Sequence, residues 1–121
     1  MVCGERWLAE SCVFCNIAAG GVEANVVYRD ELVTAFRDLN PQAPTHILVI
    51  PNEHVESIAH IGDHHPTLVL RMMVVANRIA ASEGLEGGYR LVTNVGTDAG
   101  QSVMHLHFHV LGGRKLAWPP G

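Results

Sequence analysis

Val103-Met104-His105-Leu106-His107-Phe108-His109-Val110-Leu111 alternates apolar and imidazole side chains. Successive side chains on a strand point to opposite faces, so a strand here presents Met104, Leu106, Phe108 and Val110 on one side. His105, His107 and His109 then share the other side, about 6.5–7 Å apart between neighbours. The apolar face needs a cover, and 66–83 supplies one: Leu68, Met72, Val75, Ile79 and Ala80 recur at helical spacings of three and four. Pro66 suits its first turn and Gly84 the position just past its end. Strands are expected at 89–95, before the glycine-bearing loop 96–101, and at 46–50, where an apolar run stops at Pro51. A hairpin is expected from Val26–Arg29 and Leu32–Arg37 around Asp30-Glu31, and a short helix over 12–19 stopped by Gly20-Gly21. Asn40-Pro41-Gln42-Ala43-Pro44 is irregular, since proline lacks the amide proton. The order ββ-β-α-ββ predicts an α+β domain with a mostly antiparallel five-stranded sheet and one main helix.

The 121 residues suffice for one domain, expected over 12–121 behind a loosely held tail at 1–11. Twelve acidic residues against eight Lys and Arg give a net charge of −4, which argues against a nucleic acid polymer as partner. No apolar run reaches the ~20 residues of a membrane span, and Glu5, Arg6 and Glu10 break any signal-peptide centre. A reducing, cytoplasmic setting is expected. Three cysteines, an odd count, do not form a disulfide framework; the spacing Cys12-Val-Phe-Cys15 suggests metal or redox chemistry.

A solvated strand face would more often carry Thr, Lys or Glu than a row of histidines. Metal ligation is a better reading, and acid–base or nucleophilic chemistry better still beside Gly96-Thr-Asp-Ala-Gly100-Gln101-Ser102. Glycines there permit a turn whose amides converge on an anion, with Gln101 and Ser102 as neutral donors. A neutral histidine can attack phosphorus and form a labile phosphorus–nitrogen bond. Its reactive nitrogen must be bare, so the other should donate to a fixed acceptor such as a backbone carbonyl.

His105-Leu-His107-Phe-His109-Val-Leu resembles the His-x-His-x-His-x-x signature of the histidine triad (HIT) superfamily. Asp38-Leu-Asn-Pro-Gln-Ala-Pro-Thr-His46, Ile50-Pro51, Gly88-Tyr-Arg, Gly100-Gln-Ser-Val, Leu111-Gly-Gly-Arg and Trp118-Pro-Pro-Gly121 are similar to its Hint branch, the histidine triad nucleotide-binding proteins. The resemblance implies a HIT-like fold, a homodimer with sheets joined across it, and hydrolysis of purine nucleoside 5′-phosphoramidates to a nucleoside monophosphate and an amine. By position it implies His107 as the nucleophile that becomes nucleotidylated and His109 as the phosphate contact. His105 and His46 become a proton-handling pair, and Ser102 lies near the leaving group. Asn94, Gly100, Gln101, Ser102 and the Val103 amide would surround the phosphate, and Asp38 would take the ribose hydroxyls. Phe14, Ile17, Phe36 and Leu39 would form the purine slot, and Trp118 of the partner subunit would approach the leaving group. Taken alone, Phe14, Ile17 and Phe36 read as core ahead of base stacking, Asp38 equally as a strand terminator, and Trp118 as a surface clasp or a dimer contact.

The resemblance also implies zinc ligands at Cys12, Cys15, His54 and His105, with a structural role; the chemistry requires no cofactor. The alternative is two reduced cysteines packed as small apolar groups. A metal-bound His105 cannot also serve as a free proton donor in the chemistry. Competing functions are a dinucleoside polyphosphate hydrolase and a non-enzymatic nucleotide-binding or zinc-stabilised interaction module.

Overall fold

A computed structural model describes residues 12–63 and 65–121; the expected tail at 1–11 lies outside the described residues. The chain runs α1 (Val13–Ala18), β1 (Val26–Arg29), β2 (Val33–Arg37), β3 (Thr45–Pro51), α2 (Pro66–Ser82), β4 (Tyr89–Val92) and β5 (Phe108–Gly112), with short 3₁₀ turns at Ile58–His60 and Thr97–Ala99. The strands form one sheet in the order β1-β2-β3-β5-β4, and every pairing is antiparallel. The expected α+β architecture with one main helix is therefore present.

Asp30 turns the first hairpin, its Oδ1 accepting from the Leu32 and Val33 amides at 2.8 Å each. Its Oδ2 accepts from Tyr28 and from Arg71 of α2, which ties the hairpin to the helix. α2 begins at Pro66 and ends where Gly84 takes φ +74°. There the Leu85 amide reaches back to the Ala80 carbonyl and the Gly84 amide to that of Ala81, a Schellman closure that needs the left-handed conformation glycine adopts at little cost.

β3 is central and buried along its whole length. Alternation sends Ile47 and Val49 towards α2, where they pack with Leu106, Phe108, Val110, Leu68, Met72, Val75 and Ile79. Each large side chain buried there stabilises the fold by about 1.5–3 kcal/mol. Leu48 and Ile50 face the other way and form a second cluster with Phe14, Ile17 and Phe36. Helix α1 covers this second face only in part, because it is one and a half turns long, and the uncovered remainder holds the site.

Two strand expectations need correction. The segment 103–107 is not strand; β5 starts at Phe108, and Met104 is exposed instead of packing against α2. Side-chain and loop hydrogen bonds replace the ladder there. The Leu106 amide donates to Val55 O, the Gln101 amide group donates to Glu56 O and Val103 O, and Thr93 donates to His107 O. The last of these bonds also accounts for β4 stopping at Val92 and not continuing to Val95.

Candidate active site

Register builds the site. His109 on β5 lies opposite Leu48 on β3, and Leu111 opposite His46, so His46 and His109 are diagonal neighbours on the face turned from α2. His46 Nε2 is 2.9 Å from His109 Nδ1, and the Gln42 amide donates to His46 Nδ1 at 3.0 Å. An amide only donates, so the neutral His46 ring carries its proton on Nε2 and gives it to His109 Nδ1. His109 is then protonated at Nε2, which is buried and has no hydrogen-bond partner among the described residues. A buried donor left open in this way fits an acceptor oxygen brought by a ligand.

The His107 ring centroid is 4.9 Å from that of His109, and its Nδ1 is 2.7 Å from the His105 carbonyl oxygen. A carbonyl only accepts, so the proton sits on Nδ1 and Nε2 keeps its lone pair. Phe14 packs edge-on against this ring at 5.2 Å. Burial pushes the His107 pKa down, opposed by the His105 carbonyl bond and by Asp38. Burial, then the neighbouring imidazoles of His107 and His46, hold His109 at about 4. Burial lowers His46 as well, against the pull of Asp38. These rings are neutral at pH 7, as a nitrogen nucleophile requires.

A cavity of about 330 Å³ opens in front of them. It is lined by Phe14, Ile17, Phe36, Asp38, Leu39, Ser102, Val103, His107 and His109, all marked out in the sequence. Val13, Val22, Glu23, Ala24, Asn25, Arg37 and Leu48 line it too. Sequence reading passed over these because Val22–Asn25 carry no motif and no period; only the pairing of Val26 with Phe36 brings them to the cavity. Asp38 Oδ1 caps the turn by accepting from the Asn40 amide at 2.8 Å, and Oδ2 lies 3.4 Å from His46 Nε2.

Other expected residues are placed differently. His46 Nε2 meets His109, whereas both nitrogens of the His105 ring are engaged by Cys12, Cys15 and Pro51 O, so His46 and His105 share no hydrogen bond. Asn94, Gly100 and Gln101 are not among the cavity-lining residues. Gln101 is buried, and its side chain is occupied by the Gly96 amide and the carbonyls of Glu56 and Val103, so it braces the loop instead of serving a ligand. The amides of Ala99, Gly100 and Gln101 are spent on carbonyls within the loop, which narrows the expected anion nest to the Ser102–Val103 end. Trp118 is 81% exposed and lies outside the cavity lining.

His105 is fully buried and belongs to a second cluster. Its Nδ1 lies 3.4 Å from both Cys12 Sγ and Cys15 Sγ, and His54 Nδ1 lies 3.3 Å from Cys15 Sγ. These four ligand atoms all lie within 4.8 Å of one another. Tetrahedral zinc with bonds of about 2.3 Å to sulfur and 2.0–2.1 Å to nitrogen sets sulfur and nitrogen about 3.5 Å apart, so the spacing fits. His105 Nε2 donates to Pro51 O at 2.8 Å, which fixes the tautomer with Nδ1 free to ligate. Cys12 is a free thiol.

The family comparison agrees with this geometry. The HIT domain model matches residues 19–116. An uncharacterised HIT-like protein of Synechococcus elongatus is 46% identical over 94% of this chain and 100% of its own length. The purine nucleoside phosphoramidase of Escherichia coli is 46% identical over 90% of this chain and 92% of its own. A HIT family hydrolase of Legionella pneumophila superposes with a TM-score of 0.89 at 49% identity, covering 91% of this chain and 99% of that one. A histidine triad protein of Clostridium difficile superposes with a TM-score of 0.85 at 46% identity, covering 88% and 94%. With the neutral imidazole row, its open donor and the adjoining cavity, these matches make the chain a member of the HIT family and a hydrolase.

Proposed function

We propose that this hydrolase is a purine nucleoside phosphoramidase acting through a nucleotidyl–His107 intermediate. The observation that carries the reading is the pair of fixed tautomers: a bare Nε2 on His107 beside a His109 Nε2–H that has no partner among the described residues. The His107 lone pair attacks phosphorus and the phosphorus–nitrogen bond to the amine breaks. The amine takes the proton of Ser102 Oγ–H at the leaving-group side as it departs, and the water that attacks in the second step returns a proton to that oxygen. His109 Nε2–H donates to a phosphate oxygen as charge builds on it. Water then attacks phosphorus, and His107 leaves with its lone pair restored as the nucleoside monophosphate is released. Phe14, Ile17, Phe36 and Leu39 hold the purine and Asp38 the ribose. The phosphoramidase name of a relative matched over nine-tenths of the chain supports this substrate class.

Zinc, held by Cys12, Cys15, His54 and His105 in a reducing cytoplasm, would brace the fold and take no chemical step. Among the described residues no helix is long and apolar enough to cross a membrane. The protein acts as a homodimer in this reading: β4 is an edge strand carrying exposed Tyr89 and Leu91, and Leu70 and Met73 are exposed on α2, an edge that pairing would protect. Trp118 of the partner subunit would then complete the leaving-group side.

The test is His107→Ala assayed on an adenosine phosphoramidate beside diadenosine polyphosphates. Turnover should fall by at least about 10⁴-fold, with nucleoside monophosphate still bound, and the wild type should favour the phosphoramidate. Undiminished turnover in the variant, or preference for the polyphosphates, contradicts the proposal.

A further inference from the structure

A row of directly opposed residues crosses the site face: His109 on β5, Leu48 on β3, Phe36 on β2 and Val26 on β1. Three strand spacings separate its ends, about 14 Å, the length scale of an extended nucleoside monophosphate. Phosphate held at the His109 end therefore sends the base over Phe36 towards β1, where the cavity lining turns polar at Glu23 and Asn25. The other charged liner at that end, Arg37, has its guanidinium committed to Glu83 by two 2.9 Å bonds. Glu23 is exposed and joins none of the ion pairs among the described residues. Its carboxylate is thus available at the distal end of the cavity.

We infer that Glu23 reads the outer edge of the purine and makes the site prefer guanine over adenine, a step that rests on the nucleotide reading above. An ionised carboxylate only accepts. Guanine offers it two adjacent donors, N1–H and the exocyclic amine, in the fork geometry that favours two parallel charge-assisted bonds. Adenine sets a bare N1 acceptor beside its amine, so one carboxylate oxygen faces a lone pair. Asn25 carries both a donor and an acceptor and discriminates less.

Calorimetric titration of the full chain with guanosine, inosine and adenosine 5′-monophosphates tests this, in wild type, Glu23→Gln and Glu23→Ala. The wild type should bind the guanosine nucleotide about tenfold tighter than the adenosine one, or about 1.4 kcal/mol. The inosine nucleotide, which keeps N1–H and lacks the amine, should fall between them. Glu23→Ala should bring the guanosine-to-adenosine ratio within about twofold, with Glu23→Gln between. Because Glu23 is exposed, its truncation leaves the core untouched. Equal wild-type affinities, or a tenfold ratio surviving in Glu23→Ala, overturn the inference while leaving phosphoramidase activity standing. Failure of every monophosphate to bind overturns the nucleotide reading and this inference together.

Discussion

Lowering the pH from 7 to 5 should destabilise the fold through His109. Burial and two neighbouring imidazoles lower this group from 6.5 to about 4. In the unfolded chain it recovers the ordinary value, so between those limits the unfolded state binds a proton that the folded state refuses. Stability therefore rises with pH across that window. The contribution is fully present above about pH 6.5 and is lost progressively as pH falls towards 4. From pH 6.5 to 5.0 the loss from this one group is 1.5 pH units at 1.36 kcal/mol each, about 2 kcal/mol. His46 and His107, also lowered by burial, add to it with the same sign. Asp30 stays out of the window: burial would raise it, but the bonds from Tyr28, Arg71 and the Leu32 and Val33 amides outweigh that and hold it at about 2, so it gives up its contribution only below its ordinary value of 3.8. Urea titrations at fixed protein concentration read the effect directly. With a slope of about 2 kcal/mol/M, the midpoint should drop by about 1 M between pH 7 and pH 5. His109→Asn should flatten that pH dependence by a similar amount. An unchanged wild-type midpoint across this range would show that the imidazole is not held neutral by the fold, and the reasoning fails.

Two further outcomes follow from the hydrogen-bond geometry. His46→Ala removes the donor that fixes the His109 tautomer and should lower kcat about a hundredfold with little change in KM, while His46→Gln, which keeps an N–H donor, should recover part of the loss; equal rates in all three proteins would contradict the positioning role. Cys12→Ser should abolish the roughly one zinc per chain expected in reduced, untagged protein and lower the melting temperature of the zinc-loaded form, read by elemental analysis and by scanning calorimetry with and without chelator; unchanged metal content would remove Cys12 from the ligand set.

Local signals carried most of the fold. The helix at 66–83 was legible because five apolar residues, a proline start and a glycine stop agree on it. The hairpin at Val26–Arg37 was legible because Asp30 can cap only the turn that it makes. The segment 103–107 misled because alternation is a property of side-chain direction, not of pairing. Leu106 and Phe108 are buried and His107 and His109 face the site as a strand would direct them, yet the backbone of 103–107 bonds to loops. Nothing local distinguishes those two solutions. The Val22–Asn25 wall was unreadable for a related reason, since it reaches the cavity only through register between strands distant in sequence.

His105 shows where motif reading and physical reading part. The triad motif treats three alternate histidines as one functional row, but the geometry divides them. The His105 side chain serves the cysteine cluster through Nδ1 and the Pro51 carbonyl through Nε2, while its main-chain oxygen takes the proton-bearing nitrogen of His107. One residue therefore ties the metal-type cluster to the His107 ring through separate atoms. Phe14, between the two cysteines on α1, touches both rings, with centroids 6.0 Å from His105 and 5.2 Å from His107. In the proposed mechanism a third histidine at 105 is needed for neither the attack nor the phosphate contact. Its imidazole is needed because a buried aliphatic side chain there would leave Pro51 O without a donor and the cysteines without a nitrogen ligand, an unsatisfied carbonyl alone costing about 1–3 kcal/mol.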